Sequence, residues 1–239
     1  MKLINSSYKI VEQQPGINGI YQAIESAGRT CYKSSDKITE DSAKPFVDRM
    51  IKSGHGAMLE HGTVYLESSD GFAGGFYLLR RKYERNPYSR VKIVHSFVTG
   101  IDHIYVTTNL RVLVENGWLD DLQYICEPTE FHEKRICVRF TCSIGISREL
   151  NRHRVNSMAE QSTRYCNFSK DKFGGEISFI EPSWYKDNID GQACFIKSCE
   201  DDESHYLWMI NELHMKPQQA RDILPLATAT EVNHCAFLS

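Results

Sequence analysis

Apolar positions recur along this chain in two rhythms. Ile136, Val138 and Phe140 alternate with Cys137, Arg139 and Thr141, the period-two pattern of a half-buried strand. Ser143 to Leu150 follows with Ile144, Ile146 and Leu150 as its apolar positions, which predicts a short helix. Nearer the start, Met1 to Val11 reads as an opening strand with Pro15-Gly16 as its turn. Ile20, Tyr21, Ile24 and Ala27 then predict an amphipathic helix over Ile17 to Ala27. Thr39 to Ser53 predicts another helix, with Phe46, Val47, Met50 and Ile51 on one face. Glu40 and Asp41 lie near its start and Gly54 ends it. Thr63 to Glu67 reads as a strand.

From Ser68 to Glu133 the rhythm is broken. Gly71 to Gly75 reads as flexible, Asn86-Pro87-Tyr88-Ser89 as a turn, and Thr108 to Glu115 as a helix with Leu110, Leu113 and Val114 inward. Ile177 to Ile180 is a short strand stopped by Pro182. Ala193 to Met215 is a long helix whose Phe195, Ile196, Cys199, Leu207, Ile210 and Leu213 form a core stripe. Pro217 suits the first turn of the next helix, which carries Arg221 and stops near Pro225. Glu231 to Ser239 holds Val232, Ala236 and Phe237 with no helix stop signal, so it reads as an element still in progress on a truncated chain.

A length of 239 residues suits one large domain or two small ones. Hydrophobic residues at 41% and charged residues at 25% describe an ordinary globular protein, and no stretch approaches a membrane span. A net charge of −3 disfavours long-range attraction to nucleic acid, so any phosphate site must be a local concentration of arginines. Eight cysteines (31, 126, 137, 142, 166, 194, 199 and 235) lack a CxxC pair and fit reduced thiols in a cytoplasm. Cys137 and Cys142, five apart on a strand, should face opposite sides and share no metal.

Candidate chemistry gathers at Arg152-His153-Arg154, with Ser162 and Arg164 after it. Arginine's planar fork matches phosphate oxygens two at a time, and a hydroxyl can hold those that remain. Glu160 sits inside the run, where a buried carboxylate would orient the arginines or accept from a ligand. A solvated basic surface is the plainer reading of three adjacent basic residues, but a strand and short helix leading into them look like a built site. His95, His103 and His132 read as surface or satisfied core residues. Glu60 and His61 form a potential metal pair with no third ligand in view.

The spacing Arg152-His153-Arg154, seven residues, Ser162, one residue, Arg164 resembles the signature of the flavin-dependent thymidylate synthases. Gly54-His55-Gly56-Ala57-Met58-Leu59-Glu60-His61 is similar to that family's Gly-His…Glu-His segment. Ala220-Arg221-Asp222-Ile223-Leu224-Pro225 is similar to its Ala-Arg-x-x-Leu-Pro segment, and Ala27-Gly28-Arg29 to an arginine-bearing turn. The resemblance implies an α/β fold, a mixed sheet flanked by helices that binds flavin without a Rossmann unit. It implies one catalytic domain over residues 1–239, with an insertion at about 68–133 and a C-terminal helix missing.

The implied reaction is methylation of deoxyuridylate (dUMP), with methylenetetrahydrofolate as carbon donor and FAD reduced by NADPH as hydride source. Carried over by position, Ser162, Thr163 and Arg164 would hold the nucleotide, with Arg221 assisting from another segment. Arg152, His153 and Arg154 would line the flavin, Arg152 near the nucleotide as well, and His55 would approach flavin or folate. Glu160 would bridge the ligands, so that Ser162, Arg152 and Glu160 lie nearest the chemistry. Glu149 stands where many members carry a glutamine that meets the uracil. Asn151 is polar where an aromatic residue is often found, and Ala57 replaces a hydroxyl-bearing residue of some members. The family implies a cytoplasmic homotetramer with sites shared between subunits, and neither a nucleic-acid nor a membrane partner.

None of the seven prolines is followed by cysteine, the arrangement used by the other form of thymidylate synthase. No GxGxxG follows a strand either. The alternative from another class is a nucleic-acid- or nucleotide-binding module that uses the Arg152–Arg154 run and Tyr165, against which the acidic net charge counts.

Overall fold

The computed structural model describes every residue except Phe72, Ala73, Arg154 and Ser239. The expected role of Arg154 and the middle of the Gly71–Gly75 segment therefore lie outside the described residues. The expected opening strand is two strands, β1 (Lys2–Ile4) and β2 (Ser7–Val11), parted at Asn5-Ser6. Helix α1 (Gly16–Cys31) buries Ile20, Ile24 and Ala27 as the spacing predicts, and runs past Ala27 to Cys31. Helix α2 (Ala43–Lys52) starts later than Thr39, because Ser42 Oγ accepts the Thr39 N–H at 2.9 Å and makes a turn there. Short α3 (Gly56–Leu59) and β3 (Thr63–Ser69) follow.

The segment without rhythm is well structured. It holds α4 (Gly75–Tyr83), β4 (Arg90–Ser96), β5 (Ile101–Asn109) and α5 (Leu110–Asn116). Thr108 and Asn109 belong to β5 rather than to the helix, and the Asn109 side chain caps α5 by accepting the Val112 N–H at 3.2 Å. The β4–β5 hairpin ends in Phe97 and Val98, which are 94% and 96% exposed. Beyond it come β6 (Arg135–Ser143), α6 (Ile144–Leu150), β7 (Ser157–Glu160) and β8 (Ser178–Ile180). Helix α7 (Ile189–Asn211) begins before Ala193, since Asn188 accepts the Gly191 N–H at 2.8 Å and caps it there. Leu213 falls past its end, half-exposed, and Tyr206 takes the core position instead. Pro217 opens α8 (Pro217–Ala220), and the final segment is a strand, β9 (Ala229–Phe237), rather than a helix.

The strands form three sheets. β2-β6-β9-β7 and β3-β5-β4 are antiparallel, and β1 pairs in parallel with β8. This is the expected mixed α/β arrangement with flanking helices. One core packs α1, α2, α4 and α5 against β3 and β5 through Ile24, Val47, Leu66, Leu79, Val106 and Leu113. A second packs α7 against β8 through Phe179, Cys199, Tyr206 and Ile210.

Between α1 and the four-stranded sheet the contact is polar. Arg139 donates to Asn233 Oδ1 at 2.9 Å and to Ser26 Oγ at 2.8 Å, and Asn233 donates to Thr30 Oγ1 at 2.8 Å. The same face overturns the expectation that all cysteines are free. Cys137 and Cys235, directly opposite each other on β6 and β9, are joined by a disulfide. Spacing within one strand cannot reveal a partner 98 residues away.

Candidate functional site

Strand β6 delivers the site through α6. Ser143 caps that helix by accepting the Ile146 N–H at 3.3 Å, and the Ile144 and Gly145 N–H groups bind the carbonyls of Thr228 and Leu226. The expected apolar face of α6 is only partly realised. Ile146 is 54% exposed, whereas Ser147 is buried and donates to Glu160 Oε1 at 2.7 Å. That bond ties α6 to β7. Glu160 is thus aimed by a serine, and among the described residues it pairs with neither Arg152 nor Arg164.

Arg152 and His153 close a turn after α6, with their N–H groups on the Glu149 and Leu150 carbonyls. The Arg152 guanidinium is exposed and lies 3.3 Å from Glu149 Oε2, which is exposed as well. An exposed pair of this kind contributes little to stability. A residue missed by sequence reasoning lies nearby. His234 on β9 has its pKa lowered by burial, then by neighbouring His153 and Arg135. The alternation Val232, His234, Ala236 against Asn233 and Cys235 was the available signal for it.

Past β7 the chain docks on the end of α1. The Ser162 N–H binds the Cys31 carbonyl at 2.9 Å, and Ser162 Oγ accepts the Arg164 N–H at 3.2 Å. Thr163 is partly buried between them. Arg164 donates through Nε to Gln218 Oε1 at 3.1 Å, and its guanidinium lies over Tyr165. Gln218 belongs to α8, and Arg221 is exposed on the turn that follows. Ser162, Arg164 and Arg221 are thereby brought to one region from distant segments. Among the described residues no carboxylate pairs with Arg164 or Arg221.

A cavity of about 530 Å³ adjoins this turn. Arg29, Lys33, Lys37 and Lys172 line it against a single acidic residue, Asp36, and Tyr32 and Tyr165 stand together in its wall with ring centres 5.4 Å apart. Arg29 is braced by Glu25 at 2.8 Å and Lys33 by Glu231 at 2.7 Å. Of these, only Arg29 fell within a segment singled out from the sequence.

His55 is exposed at the start of α3, and among the described residues its side chain makes no hydrogen bond or ion pair with the signature. Glu60 and His61 part company. Glu60 pairs with Arg111, while His61 is buried with Nδ1 3.1 Å from Cys235 Sγ. Burial, then the Arg135 charge, brings the His61 pKa down to about 3. His132 is a satisfied core histidine bonded to the Leu66 carbonyl at 3.2 Å, and His95 and His103 pair with Asp102 and Glu67.

Residues 126–236 match the family model described as thymidylate synthase complementing protein. That match covers a little under half of the chain. It holds the signature turn, Glu160, Ser162, Arg164 and Arg221, whereas His55 and the α1 end of the cavity lie outside it. No curated protein sequence matches the chain. Among solved structures the chain is similar to a UMP/dUMP methylase, PolB, from Streptomyces cacaoi bound with 5-Br dUMP. The identity is 13%, over 99% of this chain and 75% of that one, with a TM-score of 0.42. It is also similar to Thymidylate Synthase X (ThyX) from Helicobacter pylori with FAD and dUMP, at 12% identity over 97% of this chain and 78% of that one, with a TM-score of 0.35. At these scores neither likeness decides the site. Neither the family model nor these two structures supports the nucleic-acid reading.

Proposed function

We propose that this protein is a flavin-dependent thymidylate synthase that methylates dUMP to thymidylate. When bound, reduced FAD supplies the hydride, with NADPH as its reductant and methylenetetrahydrofolate as the source of carbon. The observation that carries the reading is that Arg164, beside Ser162, is tied through Gln218 to α8, whose following turn bears Arg221, within the stretch that matches the family model.

The residues fit phosphate-bearing ligands. A hydroxyl fixed in a turn and two exposed arginines that pair with no carboxylate among the described residues suit a phosphate monoester. The adjoining cavity, four cations and two tyrosine rings in about 530 Å³, has the size and charge for a pyrophosphate-bearing cofactor. In this reading Ser162, Thr163 and Arg164 hold the dUMP phosphate with Arg221. Arg152, His153 and Arg154 face the flavin, and His55 approaches it from α3. Glu160, its direction set by Ser147, accepts from ligand N–H or hydroxyl groups, and Glu149 takes the position of the uracil contact. The whole chain acts as one catalytic domain with residues 68–133 as an insertion, in a homotetramer that shares its sites.

Titrating apoprotein with FAD tests this directly. Quenching of flavin fluorescence and a visible flavin spectrum are expected, followed by thymidylate formation when dUMP, NADPH and methylenetetrahydrofolate are added. Absence of quenching at high micromolar FAD would sink the proposal.

A further inference from the structure

The two sulphurs of the Cys137–Cys235 disulfide have unlike surroundings. Cys235 is sealed at 1% exposure, and His61 Nδ1 lies 3.1 Å from its Sγ. Cys137 is only partly buried and lines a cavity of about 330 Å³ between residues 10–16, β3 and residues 125–128. Arg135 lines that cavity too. Its guanidinium donates to Thr63 Oγ1 at 3.1 Å and Ser157 Oγ at 2.6 Å, and among the described residues it pairs with no carboxylate. The cavity's carboxylates, Glu12 and Glu127, are on exposed loops at its rim. A negative rim around one interior cation suits a reagent that carries both an ammonium and a carboxylate group.

We propose that Cys137–Cys235 is a redox-active disulfide, opened by an amino-acid-like thiol that attacks Cys137 and expels Cys235 toward His61. The attacking thiolate forms a sulphur–sulphur bond to Cys137 as the Cys137–Cys235 bond breaks, and both electrons of that bond go to Cys235. In the tautomer that carries its proton on Nδ1, neutral His61 donates a hydrogen bond to the departing thiolate. A second thiolate of the same reagent then attacks the reagent's sulphur in the mixed disulfide and releases Cys137. Two thiols are oxidised to one small disulfide, the protein disulfide is reduced, and the two thiol protons end on Cys137 and Cys235. Exchange depends on access to the attacked sulphur and on stabilisation of the leaving one, and the structure assigns these parts to different cysteines.

The test uses the full chain and L-cysteine, with 2-mercaptoethanol as a neutral comparator. Each rate is normalised to the same thiol's rate on a small free disulfide. A charge-assisted bond to Arg135 should make L-cysteine roughly tenfold or more the better reagent. Arg135→Gln should remove that preference and leave 2-mercaptoethanol unaffected. His61→Phe should slow both reagents. In Cys235→Ser, mass spectrometry should find a stable cysteine adduct on Cys137, and in Cys137→Ser none on Cys235. The proposal is overturned if wild-type protein shows no preference between the thiols. It is equally overturned if the disulfide opens only under unfolding urea, or if the adduct forms on Cys235. The thiol comparison needs no variant, so a misfolded mutant would not leave the question open.

Discussion

Arg164 shows what one side chain is asked to do. Among the described residues its guanidinium hydrogen-bonds the neutral Gln218 and pairs with no carboxylate, which suits it to an anionic ligand. A charge-assisted hydrogen bond is worth roughly 1.5–3 kcal/mol, so Arg164→Ala should weaken dUMP binding by roughly tenfold to 150-fold. Arg164→Lys should recover part of this, because lysine lacks the planar fork. Calorimetric titration of both variants checks it, and equal affinity in all three proteins would exclude the assignment. Ser147→Ala makes a second test. It frees Glu160 and should lower turnover more than nucleotide binding, while Ser147→Thr should preserve both. At this scale the signature was legible because its spacing is rigid. The partners of its members were not, since Gln218 comes from α8, His234 from β9 and Ser147 from a polar position of α6.

Elements are set by caps and close approaches as much as by periodicity. Helix α1 meets α2 through Gly28, where an added Cβ would lie 2.4 Å from Cζ of Phe46. Overpacking of this kind costs about 1–3 kcal/mol, so Gly28→Ala should lower Tm by roughly 2–10 °C. Differential scanning calorimetry would show it, and an unchanged Tm would mean that Phe46 moves aside freely. Helices α1 and α2 were legible because each has one buried face with a clean period, and β6 because its apolar residues alternate, although the strand is partly buried along both faces. β5 was not, because it is buried along Ile104–Asn109 on both faces, and β4 was hidden by mixing exposed Ile93 with polar neighbours. The starts of α2 and α7 were misplaced because single polar side chains at Ser42 and Asn188 fix them.

For the molecule as a whole, pairing and burial decide behaviour that no segment reveals. His61, His132 and His234 all have pKa values lowered chiefly by burial, His61 to about 3. The unfolded chain takes up protons near 6.5 while the folded protein resists them. Stability should therefore fall as pH drops from about 6.5 toward 3, by at most about 1.4 kcal/mol per pH unit for each histidine. Urea midpoints at pH 7, 6 and 5 should decline, and His61→Gln should flatten the slope. A midpoint independent of pH would contradict the neutral burial of these rings.

The division of the opening strand at Asn5-Ser6 bears on how the protein is made. β1 finds its partner only at Ser178–Ile180 and β2 only at residues 137–141, whereas the β3-β5-β4 sheet is complete by Asn109. On a ribosome adding about 5–20 residues per second, the first strands therefore wait roughly ten seconds or more, unpaired, while the middle of the chain folds. Nascent protein spends that interval with β1 and β2 open to wrong partners, and slower translation between Asn109 and Arg135 would lengthen it.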